Sequence, residues 1–142
     1  MADNVSGAHS SSTPGPSPDH WPAEPLRSYK PEWTGFRCNL INIAGSWTSP
    51  VVNEWELRSA GWQDLHEHDE LNYILEGELH IECNGHEVVL QKGDLGRIPA
   101  GAIGRYWAPN YARMISMYGP NPEGSVIQET KYWDIAPASD SQ

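Results

Sequence analysis

The sequence predicts an all-β domain, a sandwich or closed barrel of short strands. No segment keeps a helical apolar period for three turns. Short segments of alternating character follow one another instead, with Gly, Pro and Asn between them at regular spacing. At 142 residues the chain is long enough for one core and too short for two domains.

Residues 1–30 read as a disordered or loosely docked tail. MADNVSGAHSSSTPGPSPDHWPAEP is rich in Ser, Pro and Gly and nearly free of aliphatic residues, so burial cannot offset its ordering entropy. Trp21 and Leu26 are its possible docking points. A single domain is expected over 31–142, its core over about 45–120. The first strand, Val51 to Leu57, alternates: Val51, Asn53, Trp55 and Leu57 share one face, Glu54 and Glu56 the other. Asn72 to Leu75 leads into a turn at Glu76-Gly77, and Glu78 to Cys83 follows as a second strand. Asn84-Gly85 is the strongest hairpin signal, joining that strand to His86–Leu90. Lys92-Gly93-Asp94 turns again before a short strand to Ile98. After Pro99-Ala100-Gly101, strands are expected at Gly104–Ala108 and Arg113–Tyr118. The Pro-rich stretch beyond Gly119 is expected to lie across the outside, anchored by Tyr132 and Trp133.

Nine Lys plus Arg against nineteen Asp plus Glu give a formal charge of -10. Such a chain lacks the basic footprint of a nucleic-acid binder and is repelled by anionic lipid. No apolar run approaches the ~20 residues that span a bilayer. No basic segment followed by an apolar one marks a secretory leader, so the expected location is cytoplasmic. Cys38 and Cys83 lack CxxC spacing and read as reduced buried thiols, with a disulfide as the alternative. Seven Trp are many for this length. They either fill a small barrel or line a ligand cavity.

Asp64, His66, His68, Glu70 and Asn72 stand two apart, and residues two apart on a strand share a face. Two His at this spacing lie roughly 6–7 Å apart, within reach of one metal. A straight strand holds Asp64 and Glu70 about 20 Å apart, so Glu70 joins only if the chain bends near His68-Asp69. His, His and carboxylate together form the facial ligand set that suits non-haem Fe(II) or Mn(II).

Two segments resemble the cupin family. HEHDELNYILEG carries Glu70 with six residues between it and Gly77, like the glutamate of the family's first motif. GDLGRIPAGAIGRYWA, Gly93 to Ala108, carries the second motif's Gly, five residues, then Pro-x-Gly. The resemblance covers about residues 45–120. It implies a double-stranded β-helix (a jelly-roll, or cupin, barrel), usually a homodimer, with one divalent transition metal near the barrel mouth. Fe(II) is the first choice, with Mn, Ni, Zn or no metal as alternatives. The motif-two ligand His would stand at position 104, which here is glycine. The implied ligands are therefore Asp64, His66 and Glu70, or His66, His68 and Glu70.

His80 alternates with Glu78 and Glu82, the pattern of a solvated face, and His86 follows a turn. Tyr106 shares the inward direction of Gly104 and is a hydrogen-bond donor, general acid or core filler. Arg97 or Arg105 would bind a substrate carboxylate, and alternation turns Arg105 outward. Together these residues suggest a metal enzyme acting on a small, ring-bearing or polyketide-like molecule. Glu70, His68 and Tyr106 would then be catalytic, and Asn53, Trp55, Arg97 and Asn72 would contact substrate. A non-catalytic ligand-binding or sensory barrel is the main alternative, and a purely structural barrel the third.

Overall fold

The computed structural model describes residues 15–42 and 48–136. Residues 1–14 of the expected tail and 45–47 of the expected core lie outside the described residues. Eight strands are described: β1 Arg27–Ser28, β2 Phe36–Leu40, β3 Val51–Leu65, β4 Glu70–Cys83, β5 His86–Gln91, β6 Leu95–Ile98, β7 Ile103–Tyr118 and β8 Gln128–Asp134. All pairings are antiparallel. Among the described residues no helix is long and apolar enough to cross a membrane.

Three long strands, β3, β7 and β4, form the spine of the barrel. The first half of β3 pairs with β2 and with the second half of β7. Its second half pairs with β8 and with the first half of β7. β4 divides likewise: Glu70–Tyr73 pairs with β6, and Glu78–Cys83 pairs with β5. The hydrogen-bonded network therefore folds at its bulges into two facing layers, β2-β3-β7-β4-β6 and β8-β3-β7-β4-β5. This is the jelly-roll barrel that the sequence predicts.

The bulges change which residues face inward. In β3 the register shifts between Arg58 and Ala60, and Ser59 takes a left-handed φ of 44°. Before it the buried residues are Val51, Asn53, Trp55 and Leu57. After it all of 60–64 are buried: Ala60 and Trp62 join the core, while Gly61 lies against the Trp133 ring and Gln63 donates to the Glu129 carbonyl under β8. Glu76-Gly77 behaves the same way, since it is a bulge within one continuous strand where the sequence suggested a turn. Gly77 has φ 74°, and a Cβ there would lie 2.0 Å from the Tyr111 carbonyl oxygen, so only glycine fits. Gly104–Ala108 and Arg113–Tyr118 likewise belong to one strand.

Leu57, Ile74, Leu79, Tyr106 and Met114 are fully buried between the layers. At one corner Trp33, Phe36 and Trp62 pack ring to ring, with centroids 5.0 to 6.3 Å apart. Tyr29 and Tyr132 stack on the two sides of Trp33 at 5.4 and 5.3 Å. The C-terminal segment does more than lie across the barrel: as β8 it hydrogen-bonds to β3. Both cysteines are free thiols.

Candidate metal centre

The ligand-type residues meet where the layers open. β3 ends at Leu65 in one layer and β4 begins at Glu70 in the other. Residues 66–69 cross between them, held by Gly101 N–H donating to the His66 carbonyl (2.8 Å) and Gly119 N–H to that of Asp69 (2.9 Å). This crossing is the bend that Glu70 required. It brings one ligand atom each from Asp64, His66 and Glu70 within 4.8 Å of one another, all three residues buried.

Each of these groups is held from behind. Trp62 Nε1 donates to Asp64 Oδ2 at 2.7 Å, and His66 Nε2 lies 3.1 Å from the same oxygen. His66 Nδ1 is 3.6 Å from Glu70 Oε2. Tyr106 donates its hydroxyl proton to Glu70 Oε2 at 2.9 Å, and Ser116 Oγ lies 3.3 Å from Glu70 Oε1. Ser116 also accepts from Trp55 Nε1 at 2.5 Å and contacts Asn72 Oδ1.

Burial, and then the charge of Asp64, push the Glu70 carboxyl up to about 7. Burial lowers the pKa of His66, but the hydrogen bond and charge of Asp64 and the charge of Glu70 outweigh it, leaving a net rise. Burial also lowers His68, which accordingly favours the neutral ring. Tyr106 and Tyr118 are held well above the usual phenol range by burial and by the charge of Glu70.

Asp64, His66 and Glu70 converge, whereas His68 stacks on the His66 ring, with centroids 4.5 Å apart and planes 13° apart. Asn53, Trp55 and Asn72 lie inside the barrel beside the centre. Arg97 does not join them. It pairs across the ladder with Leu71, on the outward row, and binds Asp69 at the surface with 3.0 and 3.1 Å contacts. Arg105 is exposed, as alternation required. His80 sits on the outer face between Glu78 and Glu87, and His86 is exposed.

Ser116, Tyr118 and Trp62 are the residues that sequence reasoning missed. Ser116 and Tyr118 were within its reach, since they alternate with Met114 on the inward face of β7. The tryptophans divide: Trp33, Trp55 and Trp62 fill the interior, while Trp107 and Trp133 line an outer cavity of about 340 Å³ with Glu82, Glu87 and Arg105.

Three buried side-chain atoms beside or within the cluster have no hydrogen-bond partner: Asp64 Oδ1, Asn53 Oδ1 and Asn72 Nδ2. A buried carboxylate oxygen without a partner costs about 1–3 kcal/mol or more. Asp64 Oδ1, beside an imidazole and a second carboxylate, is a ready ligand atom. The 3.1 Å between Asp64 Oδ2 and His66 Nε2 is a hydrogen bond that leaves Oδ1 free. One imidazole and two carboxylates with ligand atoms within 4.8 Å of one another are a donor set suited to an ion of the Fe, Mn or Zn type.

Residues 55–118 match the cupin domain family. The matched stretch runs from Trp55 in β3 to the end of β7, the core of the barrel. Among solved structures its barrel is similar to an RmlC-like cupin from Shewanella frigidimarina, with 18% identity, a TM-score of 0.61, and 77% of this chain and 97% of that one covered. It is also similar to the EutQ protein of Clostridium difficile, at 24% identity and TM-score 0.55, covering 60% of this chain and 68% of that one. Fe(II)-HppE, solved with an alternative substrate, shares 18% identity at TM-score 0.55, over 66% of this chain and 55% of that one. At these identities the likeness is one of fold. No curated protein matches the sequence.

Position 104, where the resemblance implied a ligand histidine, is glycine, and the structure supplies the reason. Gly104 pairs with Asp64 across the ladder. A Cβ on Gly104 would lie 2.4 Å from the Tyr106 hydroxyl oxygen, so the phenol fills the space that a side chain at 104 would need.

Proposed function

We propose that this cupin is a mononuclear metal enzyme acting on a small organic molecule admitted to the barrel mouth. The observation that carries the reading is Asp64 Oδ1, buried without a partner inside a cluster of three metal-ligand side chains. Asp64, His66 and Glu70 would hold the ion, with Fe(II) first in order of preference and Mn, Ni or Zn behind it. The bound ion would supply Lewis-acid or oxygen-activating chemistry. The fold relationship to Fe(II)-HppE is compatible with this reading but does not choose the reaction.

The chain's own residues divide the remaining work. Asn53 Oδ1 accepts and Asn72 Nδ2 donates, which positions a polar substrate group beside the centre. Trp62, Tyr106 and Ser116 fix the carboxylates through hydrogen bonds, so no reorientation is needed when ligands bind. His68, buried on the far side of His66 and shifted toward its neutral form, is placed to accept a proton. Free thiols at Cys38 and Cys83 support a reducing, cytoplasmic setting.

Reconstitution of metal-stripped protein with Fe(II), Mn(II), Ni(II) and Zn(II), followed by elemental analysis, tests the reading. One equivalent bound by the wild type and lost in His66→Ala is the expected result. Binding well below one equivalent for every metal would sink it. A second reading, a non-catalytic ligand-binding cupin, is favoured by the hydrogen bonds that Trp62, Tyr106 and Ser116 already make to both carboxylates. Tight binding of a small molecule that emerges unchanged, with no metal present, would select it.

A further inference from the structure

The outer face of the layer β8-β3-β7-β4-β5 holds a row of charges that do not pair as the ladder invites. Glu82 stands directly opposite Glu87 on β5 and opposite Arg105 on β7. Like charges facing each other across a ladder repel, and a cation beside them offsets this when it pairs. Arg105 does not pair. Among the described residues it forms no ion pair, and its guanidinium lies over the Trp133 ring instead, 5.7 Å from the centroid. Each carboxylate is held by one oxygen only: Glu82 Oε1 accepts from the Gly85 N–H at 2.7 Å, and Glu87 Oε1 lies 3.1 Å from His80 Nδ1. These three charged side chains line the outer cavity of about 340 Å³ together with Trp107 and Trp133. Both indoles are fixed in place. His80 stacks on Trp107 with centroids 5.1 Å apart and planes 23° apart. Gly61, the ladder partner of both tryptophans, leaves β3 bare, and Trp133 lies where a Cβ would come within 2.0 Å of its ring.

We propose that this outer cavity is a binding site for a free α-amino acid with a flat apolar side chain. The ligand's ammonium group takes Glu82 and Glu87 and offsets their repulsion, and its carboxylate takes the Arg105 guanidinium. Its ring lies against the two indoles. The charges select a zwitterion: a cation alone would leave Arg105 unmatched, and an anion alone would leave the two carboxylates opposed. The cavity stands at the lower end of the ~300–1,000 Å³ of small-molecule sites, so the occupant is small. Arg105 thus takes the carboxylate-binding role that the sequence suggested for it, on the outside of the barrel. The inference does not depend on the metal reading, because none of these residues belongs to the metal centre.

The test titrates isotope-labelled full-length protein and follows the indole N–H signals by NMR. The probes are L-phenylalanine, phenethylamine, which lacks the carboxylate, and phenylpropionate, which lacks the ammonium group. L-Phenylalanine should move the Trp107 and Trp133 signals, assigned through Trp107→Phe and Trp133→Phe. It should bind about tenfold more tightly than either analogue, or better. Arg105→Gln, at an exposed position, should keep the amide spectrum of the wild type elsewhere. It should lower the affinity for phenylalanine to that of phenethylamine without weakening phenethylamine itself. Glu82→Gln combined with Glu87→Gln should lower it to that of phenylpropionate. Binding of either analogue as tightly as phenylalanine would overturn the inference. So would Trp107 and Trp133 signals that phenylalanine leaves unmoved, or an affinity for phenylalanine that Arg105→Gln does not change.

Discussion

Replacing Glu70 with Gln should stabilise the metal-free protein at pH 8 and leave it nearly unchanged at pH 5. Glu70 is held at about 7 in the folded chain against an ordinary value of 4.5, because burial and the Asp64 charge disfavour its ionised form. For an acid raised in this way, folding carries no penalty below the unfolded value. The penalty grows as pH climbs from there through the folded value. The two values differ by about 2.5 units, which corresponds to roughly 3 kcal/mol at pH 8. Glutamine is neutral throughout. It can still accept the Tyr106 proton and donate to Ser116, so the local hydrogen bonds survive. Urea unfolding of chelator-treated wild type and Glu70→Gln at pH 5 and pH 8 measures the difference. Gln should gain roughly 2–3 kcal/mol at pH 8 and less than about 1 at pH 5. Equal effects at both pH values, or a loss of stability at pH 8, would refute the account of the buried carboxyl.

Gly61→Ala should destabilise the protein by about 1–3 kcal/mol, since a Cβ there would lie 2.0 Å from the Trp133 ring; a change in tryptophan emission alongside the denaturation midpoint would locate the effect at β8. Gly77→Ala should cost about as much or more, combining a positive φ with a carbonyl oxygen 2.0 Å away, and is read from the same unfolding curves. Leu57→Ala, at a fully buried position between the layers, should cost about 2–5 kcal/mol without altering the metal content of reconstituted protein.

Much of the fold was legible because turn chemistry and alternation are local signals. Asn84-Gly85, both with positive φ, make the hairpin that the sequence announced. The alternation of Val51, Asn53, Trp55 and Leu57 named the inward face of early β3 correctly. Strand continuity was not legible at Glu76-Gly77, because a bulge glycine and a turn glycine look alike until a partner strand is known. Of the candidate centre, the need for a bend before Glu70 came from strand geometry alone, and the bend is there at residues 66–69. Which of Asp64 and His68 stands beside His66 could not be read, because it depends on how the crossing turns. The partner of Tyr106 was hidden for a similar reason: its inward direction follows from period two, but its contact with Glu70 arises between strands 36 residues apart. Arg97 went astray because alternation had not been carried from β4 to β6, where Leu71 and Arg97 share the outward row.

The bulge at Ser59 has a consequence for how this barrel can change over time. The core and cluster residues stand at odd positions before it (Trp55, Leu57) and at even positions after it (Ala60, Trp62, Asp64). Ser59 touches none of the groups in the centre; its hydroxyl donates to the Pro109 carbonyl, and its own carbonyl accepts from Ile135. Straightening the bulge with Ser59 kept in the chain would carry plain alternation through it, turning Trp62 and Asp64 out and Gly61 and Gln63 in. A substitution at Asp64 removes one ligand, but loss of the left-handed conformation at Ser59 re-addresses the whole distal half of β3. The backbone conformation at Ser59 is therefore as much a determinant of the chemistry as the identity of Asp64 itself.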